Sequence, residues 1–177
     1  MIDLNFSLKK AELEILKAKT DLNEAELLYA SDFYAGASNR LYYSMFHGVS
    51  AIFAKDGIKT KTHKGSHNVF IKEYTMNGTF PENAAKTYSQ LQSVRESGDY
   101  DCFYTVKKED VANQIPTVKD FLEQVTQYKG TIMSAIDTLI CRITTPNAKQ
   151  FSAEQVAALQ SIKKLAVNDD IPTFLQN

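Results

Sequence analysis

From Asp3 to about Ala30 the apolar residues Leu4, Leu8, Ala11, Ile15, Ala18, Leu22, Ala25, and Leu28 or Tyr29, return every three or four positions. That period belongs to one long amphipathic helix, and its apolar stripe is buried only against other elements. Seven glycines and four prolines in 177 residues are few, and they fall where elements would end rather than at hairpin spacing. Ser31 and Asp32 offer N-cap oxygens for a second helix, which runs to about Asp56 and stops at Gly57. A polar, basic connection, I-K-T-K-T-H-K-G-S-H, precedes a short helix from about His67 to Met76 that ends at Asn77-Gly78. Pro81 is placed to open the next helix, roughly Glu82 to Ser97. After the loop G-D-Y-D-C-F-Y-T-V, a fifth helix spans about Lys108 to Tyr128, with Pro116 expected to kink it or to mark its true start.

Beyond Gly130, Ile132 to Ile143 and Ala153 to Leu165 read as two further helices, with Ser152 as a cap. The fold class is therefore all-α: an up-and-down bundle of about five helices over residues 1–129, with a helical C-terminal extension over 130–177. Twenty basic and twenty-one acidic residues give a pI near 6.3, so an anionic ligand must be held by a local cluster. Cys102 and Cys141 form no CxxC pattern, which fits a reducing compartment. No window approaches the roughly 18 apolar residues of a membrane span, so the expectation is a soluble, cytoplasmic protein without membrane contact.

The second helix carries the chemistry. At about 100° per residue, placing Arg40 at zero puts His47 near −20°, Ser44 near 40°, Tyr43 near −60°, Gly36 near −40° and Ala51 near 20°. Leu41, Tyr42, Met45, Phe46, Val49, Ile52 and Phe53 fan out on the other side. Arg40 and His47 thus share a face of small residues opposite the bulky apolar one, separated by roughly 10 Å along the axis. Glycine inside a helix costs about 1 kcal/mol relative to alanine, so that face calls for a close approach by a helix or ligand. A second copy about a two-fold axis would supply one, and would bring two histidines and two guanidiniums around one groove. An imidazole moves protons near neutral pH, and a guanidinium matches phosphate oxygens while staying charged. Such a set can cleave RNA without a metal, through attack by the ribose 2′-OH, to give a 2′,3′-cyclic phosphate. The bland alternative is an Arg and a His on a solvated face.

Three ordered runs narrow that choice: A-S-N-R-L-Y-Y-S-M-F-H-G-V-S-A-I-F-A-K-D-G, K-T-H-K-G-S-H-N-V-F-I-K-E-Y and L-Q-S-V-R-E-S-G-D-Y. Over about residues 5 to 128 the chain resembles the HEPN family (higher eukaryote and prokaryote nucleotide-binding domains) in its small prokaryotic branch. The resemblance implies a bundle of about five helices, a homodimer, and a minimal nucleotidyltransferase as antitoxin partner in toxin-antitoxin or defence loci. Its ribonuclease members carry an Arg, four to six residues and a His, which Arg40 and His47 match with six between. Leu41 stands where such members often carry a polar residue. The function expected is a metal-independent endoribonuclease cutting RNA at a composite dimer-interface site, with Arg40 and His47 catalytic and no cofactor. The alternatives are a non-catalytic module that binds a nucleotide or nucleic acid, and a helical partner of the nucleotidyltransferase.

The remaining candidates surround that pair. Tyr42 reads as core, whereas Tyr43 faces the groove and could stack on a base. Ser44 lies on the small face. His63 and Lys64 line the approach to the groove, and Lys59, Lys61 and Lys64 either contact phosphates or decorate a solvated loop. His63 and His67, four apart, could share a helix face as metal ligands, but no carboxylate motif completes the set. Arg95 with Asp99 and Tyr100 matches the family's R-x-x-x-D-Y motif, and reads most simply as an ion pair that orders the following loop. No Gly-rich phosphate loop, Ser-His-Asp pattern or Cys nucleophile context is present.

Overall fold

A computed structural model of the chain describes residues 4–100 and 104–130, together with Ala157. Its first helix, α1 (Leu4–Ala30), packs antiparallel against α2 (Tyr34–Asp56). The alanines of the stripe, Ala11, Ala18 and Ala25, are all buried, and their small side chains let the two backbones come close. The hydroxyl of Ser44 on α2 donates to the backbone carbonyl of Ala18 at 2.9 Å. The turn between the two helices is short and tightly bonded. Asp32 sits in the left-handed region at φ 63°, with its N–H on the Tyr29 carbonyl and the Phe33 N–H on that of Leu28. That is a Schellman ending for α1, so Asp32 closes the first helix instead of capping the second, whose N-cap is Phe33 with no side-chain bond. The same motif recurs at the end of α2, where Gly57 at φ 68° takes the position that the sequence assigned to it.

The third helix starts earlier than the sequence suggests. Thr62 caps it by accepting from the Gly65 N–H at 3.0 Å, so α3 runs His63–Phe70 and passes into a π-helical turn, Ile71–Thr75. Gly78, at φ 77°, ends this arm. Next, α4 (Glu82–Tyr100) opens after Pro81 and continues three residues past the expected end, through Gly98. The last described helix, α5 (Lys108–Gln127), runs through Pro116, which neither starts it nor divides it. The helices foreseen beyond Gly130, and both cysteines, lie outside the described residues.

At the centre, α2 touches each of the other described α-helices, α1, α3, α4 and α5. One side of it faces α1, and the rest meets α3, α4 and α5 through Leu41, Tyr42, Met45, Val49, Ile52 and Phe53, all buried. Gly48 lies under α5: a Cβ there would sit 2.6 Å from Cε1 of Phe121 and 3.0 Å from Cδ2 of Leu122. A ring cluster of Phe70, Tyr74, Phe80, Phe121 and Tyr128 fills the space between α5 and the π-helical arm. Lys55, near the end of α2, donates to the carbonyls of Val125 (2.9 Å) and Tyr128, tying the C-terminal ends of α2 and α5 together. The described residues contain no strand, as an all-α bundle requires. No described helix is long and apolar enough to cross a membrane.

Candidate functional site

Arg40 and His47 do share one face of α2, but that face is turned toward α1. Arg40 Nη1 is 2.9 Å from Oδ1 of Asp21 and 3.4 Å from Oε2 of Glu24. His47 Nδ1 is 2.7 Å from Oε2 of Glu14, close enough for a strong charge-assisted bond in which the imidazole N–H donates to the carboxylate. Its Nε2 lies 3.9 Å from Oδ2 of Asp21. Asp21 therefore stands between the arginine and the histidine, one oxygen toward each. Only 6% of Asp21 is exposed, and burial pushes its carboxyl above the ordinary range although Arg40 and His47 pull it down.

The groove-lining role expected of Ser44, and the dimer contact expected through its face, are corrected here. Ser44 is fully buried and spends its hydroxyl on α1, so the small residues serve an intramolecular helix seam. The residues expected near the pair divide between this site and its margin. Tyr42 is core, as its buried side chain shows. Tyr43 is half-buried, with the Arg40 guanidinium carbon 4.9 Å above its ring and the His47 ring stacked at 6.5 Å. His63, the first residue of α3, reaches the same cluster. Its ring stacks on Phe46 at 4.2 Å, and its Nδ1 is 2.9 Å from the Tyr42 hydroxyl. Lys64, with Lys59 and Lys61, stays on the exposed surface beside it.

His67 turns away from His63. Its Nε2 bonds the Ser89 hydroxyl at 2.8 Å and its ring packs edge-on against Tyr88. The two histidines do not form a ligand pair, and no group of three His, Cys, Asp or Glu side chains among the described residues could hold a metal ion. Arg95, from α4, lies over the rings of Tyr42 (5.2 Å) and Tyr43 (5.5 Å). The side chains of Asp99 and Tyr100, its expected partners, lie outside the description.

The acidic half of the site was not singled out from the sequence. Its signal was present: Glu14 and Asp21 are seven apart, as are Arg40 and His47. Two antiparallel helices pair such doublets in one register, His47 with Glu14 and Arg40 with Asp21. The arrangement supplies an oriented imidazole, two guanidiniums on a shared tyrosine ring, and a second imidazole across one phenylalanine.

Comparison with known proteins agrees with the all-α fold. Residues 11–128 match the sequence profile described as the HEPN domain. A protein of Methanocaldococcus jannaschii named "putative toxin" is 33% identical over 121 residues, which cover 67% of this chain and 82% of that protein. A "UPF0332 protein" of Thermotoga maritima is 28% identical over 109 residues, 62% of this chain and 83% of its own length. A similarly named protein of Archaeoglobus fulgidus is 28% identical over 98 residues, 55% of this chain and 78% of its own length.

Proposed function

Because the chain belongs to the HEPN domain family, we propose that it is a metal-independent endoribonuclease of the toxin type, in which Arg40 binds the scissile phosphate and His47 transfers a proton. The observation that carries this reading is the Glu14–His47 pair beside Arg40. A carboxylate on Nδ1 fixes the ring's orientation and tautomer, which leaves Nε2 to exchange a proton with substrate. Arg40 uses Nη1 for its two carboxylates, so Nε and Nη2 remain for phosphate oxygens. Tyr43 supplies a half-buried ring for a base to stack on, and Lys64 an exposed charge for the backbone. The toxin-named relative supports the biological setting, and a nucleotidyltransferase antitoxin remains the partner proposed. The homodimer stays in this reading with its contact moved off the Ser44 face.

The test is incubation of RNA with the purified chain in EDTA, beside His47→Ala and Arg40→Ala. Cleavage that both substitutions abolish supports the assignment, and cleavage that survives both sinks it. A second reading, a module that binds nucleotide or nucleic acid without cutting, is favoured by the commitment of Arg40 to Asp21 and Glu24. RNA or ATP binding without cleavage, weakened by Arg40→Ala, would select it.

A further inference from the structure

We propose that the outer face of α1, with the groove between α1 and α5, is a docking surface for this chain's own segment 131–143, which folds back on the bundle as a further helix. The proposal is independent of the ribonuclease reading. It begins from three leucines of α1 that the bundle leaves in water: Leu13 is 56% exposed, Leu16 62% and Leu27 70%. With Leu13 at zero, Thr20 falls at about −20°, Leu27 at about −40° and Leu16 at about −60°, so they form one line along the helix. Ala11, Ala18 and Ala25, buried against the bundle, lie at about 120° to 160°, on the opposite side. An amphipathic helix at a protein surface needs one apolar stripe, and α1 carries two. An aligned, exposed second stripe marks a surface that another element covers.

The place where the described chain ends points to the occupant. Helix α5 runs antiparallel to α1, with Lys119 paired to Glu26, and Lys19 lining one groove with Leu122, Glu123 and Thr126. That groove is open and holds about 300 Å³. Glu26 and Lys19 lie at about −140° and −120°, so α5 borders the leucine line on its Leu16 edge. Past α5 the chain reaches Gly130, which is buried and left-handed at φ 82°. A Cβ there would stand 3.0 Å from both Cβ and the carbonyl oxygen of Lys55. Burial holds the Lys55 pKa below the ordinary lysine range against the pull of Asp56 and of Glu12 on α1, which puts the early turns of α1 beside this exit. A left-handed residue just past a helix reverses the chain, and so short a connection makes the next helix an antiparallel neighbour of α5.

The sequence that follows suits that position. Ile132, Ile136, Leu139 and Ile143 recur at fours and threes within about 60° of arc, with Met133 and Ile140 beside them, while Ser134, Asp137, Thr138 and Arg142 take the other side. As an α-helix this stretch spans about 18 Å, against about 21 Å from Leu13 to Leu27. Started at Ile132 beside Glu12, it runs parallel to α1 over most of the leucine line. Each apolar stripe then covers the other, whereas a second copy on α1 would leave the isoleucines of both chains in water.

Two measurements on the full chain test this. In hydrogen exchange, amides of residues 132–143 should be slowed about a hundredfold or more relative to an unstructured chain. Leu13→Gln/Leu16→Gln/Leu27→Gln should remove most of that protection while the amides of α2 keep theirs, which separates undocking from unfolding. Absent protection in wild type, or protection that the triple variant retains beside an intact α2, would overturn the proposal. For the second measurement a nitroxide is attached to Lys17→Cys, at the exposed margin of the leucine line, in a Cys102→Ser/Cys141→Ser chain. Amide signals of residues 132–143 should broaden when nitroxide and isotope label share a chain, and stay sharp when nitroxide chains are mixed with isotope-labelled chains that lack it. Broadening only in the mixture would seat a second copy on this face, and broadening in neither would place the segment elsewhere; both overturn the proposal. Should the triple variant unfold, the nitroxide result decides alone.

Discussion

The two sides of α2 are built from different materials. Toward α5 the contact is apolar and tight, with Gly48 admitting Phe121 and Leu122, and Val118 and Val125 buried beside them. Toward α1 small residues alternate with charges: Ala11, Ala18, Ala25 and Ser44 close the seam, while Glu14 and Asp21 meet His47 and Arg40. Apolar burial stabilises in proportion to the area removed from water, whereas a half-buried ion pair gains little because desolvation offsets attraction. The α5 side should therefore carry stability and the α1 side chemistry, on one helix.

The sharpest way to break that division is Phe121→Ala. The ring is buried and touches Phe70 and Phe80, so its loss should cost about 3–5 kcal/mol. Urea unfolding should show this as a lower midpoint at an unchanged slope. Gly48→Ala comes next. Its Cβ would meet the Phe121 ring at 2.6 Å, a contact that must shift, and overpacking of this kind costs about 1–3 kcal/mol. A Gly48→Ala chain as stable as wild type would show that α5 is free to move away, and the apolar side would lose its claim to rigidity.

How far the sequence could foresee this depends on which forces act locally. The limits of α1 and the stop of α2 at Gly57 were legible, because apolar period and left-handed glycine are properties of the segment itself. Asp32 misled because an Asp before a helix resembles an N-cap, and only the bonds back to Leu28 and Tyr29 show that it ends the preceding helix. Thr62 stands in a polar, basic run with the composition of a loop, so the sequence suggests a start at His67, whereas the cap sets it at His63. Gly98 and Pro116 looked like breakers, yet α4 and α5 continue through both, tertiary packing overriding local preference. At the site, the angular plot placed Arg40 and His47 together but could not say what covers them. A helical wheel fixes directions around one axis, and the identity of the neighbour is a property of the whole bundle. Angle alone therefore suits the small-residue face to a second copy, whereas in the bundle α1 covers Ser44.

Glu14→Gln probes the α1 side. The amide can still accept a hydrogen bond from His47 Nδ1, but it brings no charge to the imidazolium. Cleavage should fall by roughly tenfold to a hundredfold, the range for loss of a carboxylate that orients a functional histidine. The thermal midpoint should hardly move, since Glu14 is partly exposed. A large loss of stability with full activity would reverse the comparison.

The smallest effect, and the finest test, belongs to Asp21→Asn. At pH 7 the variant should differ from wild type by no more than about 1 kcal/mol, because burial of the carboxylate offsets its attraction to Arg40 and His47. The sign of the pH dependence then discriminates. Burial raises the folded-state pKa of Asp21 against Arg40, His47 and Lys17, with Glu24 adding to the rise. The folded chain therefore binds a proton at a pH where the unfolded chain does not, and this group's contribution to stability increases as pH falls through the raised value. Measured as thermal midpoints from pH 7 down to about 4.5, wild type should gain on Asp21→Asn. The opposite trend would mean that the Arg40 pair outweighs the cost of burial, and the charged side of α2 would then hold the fold together as the apolar side does.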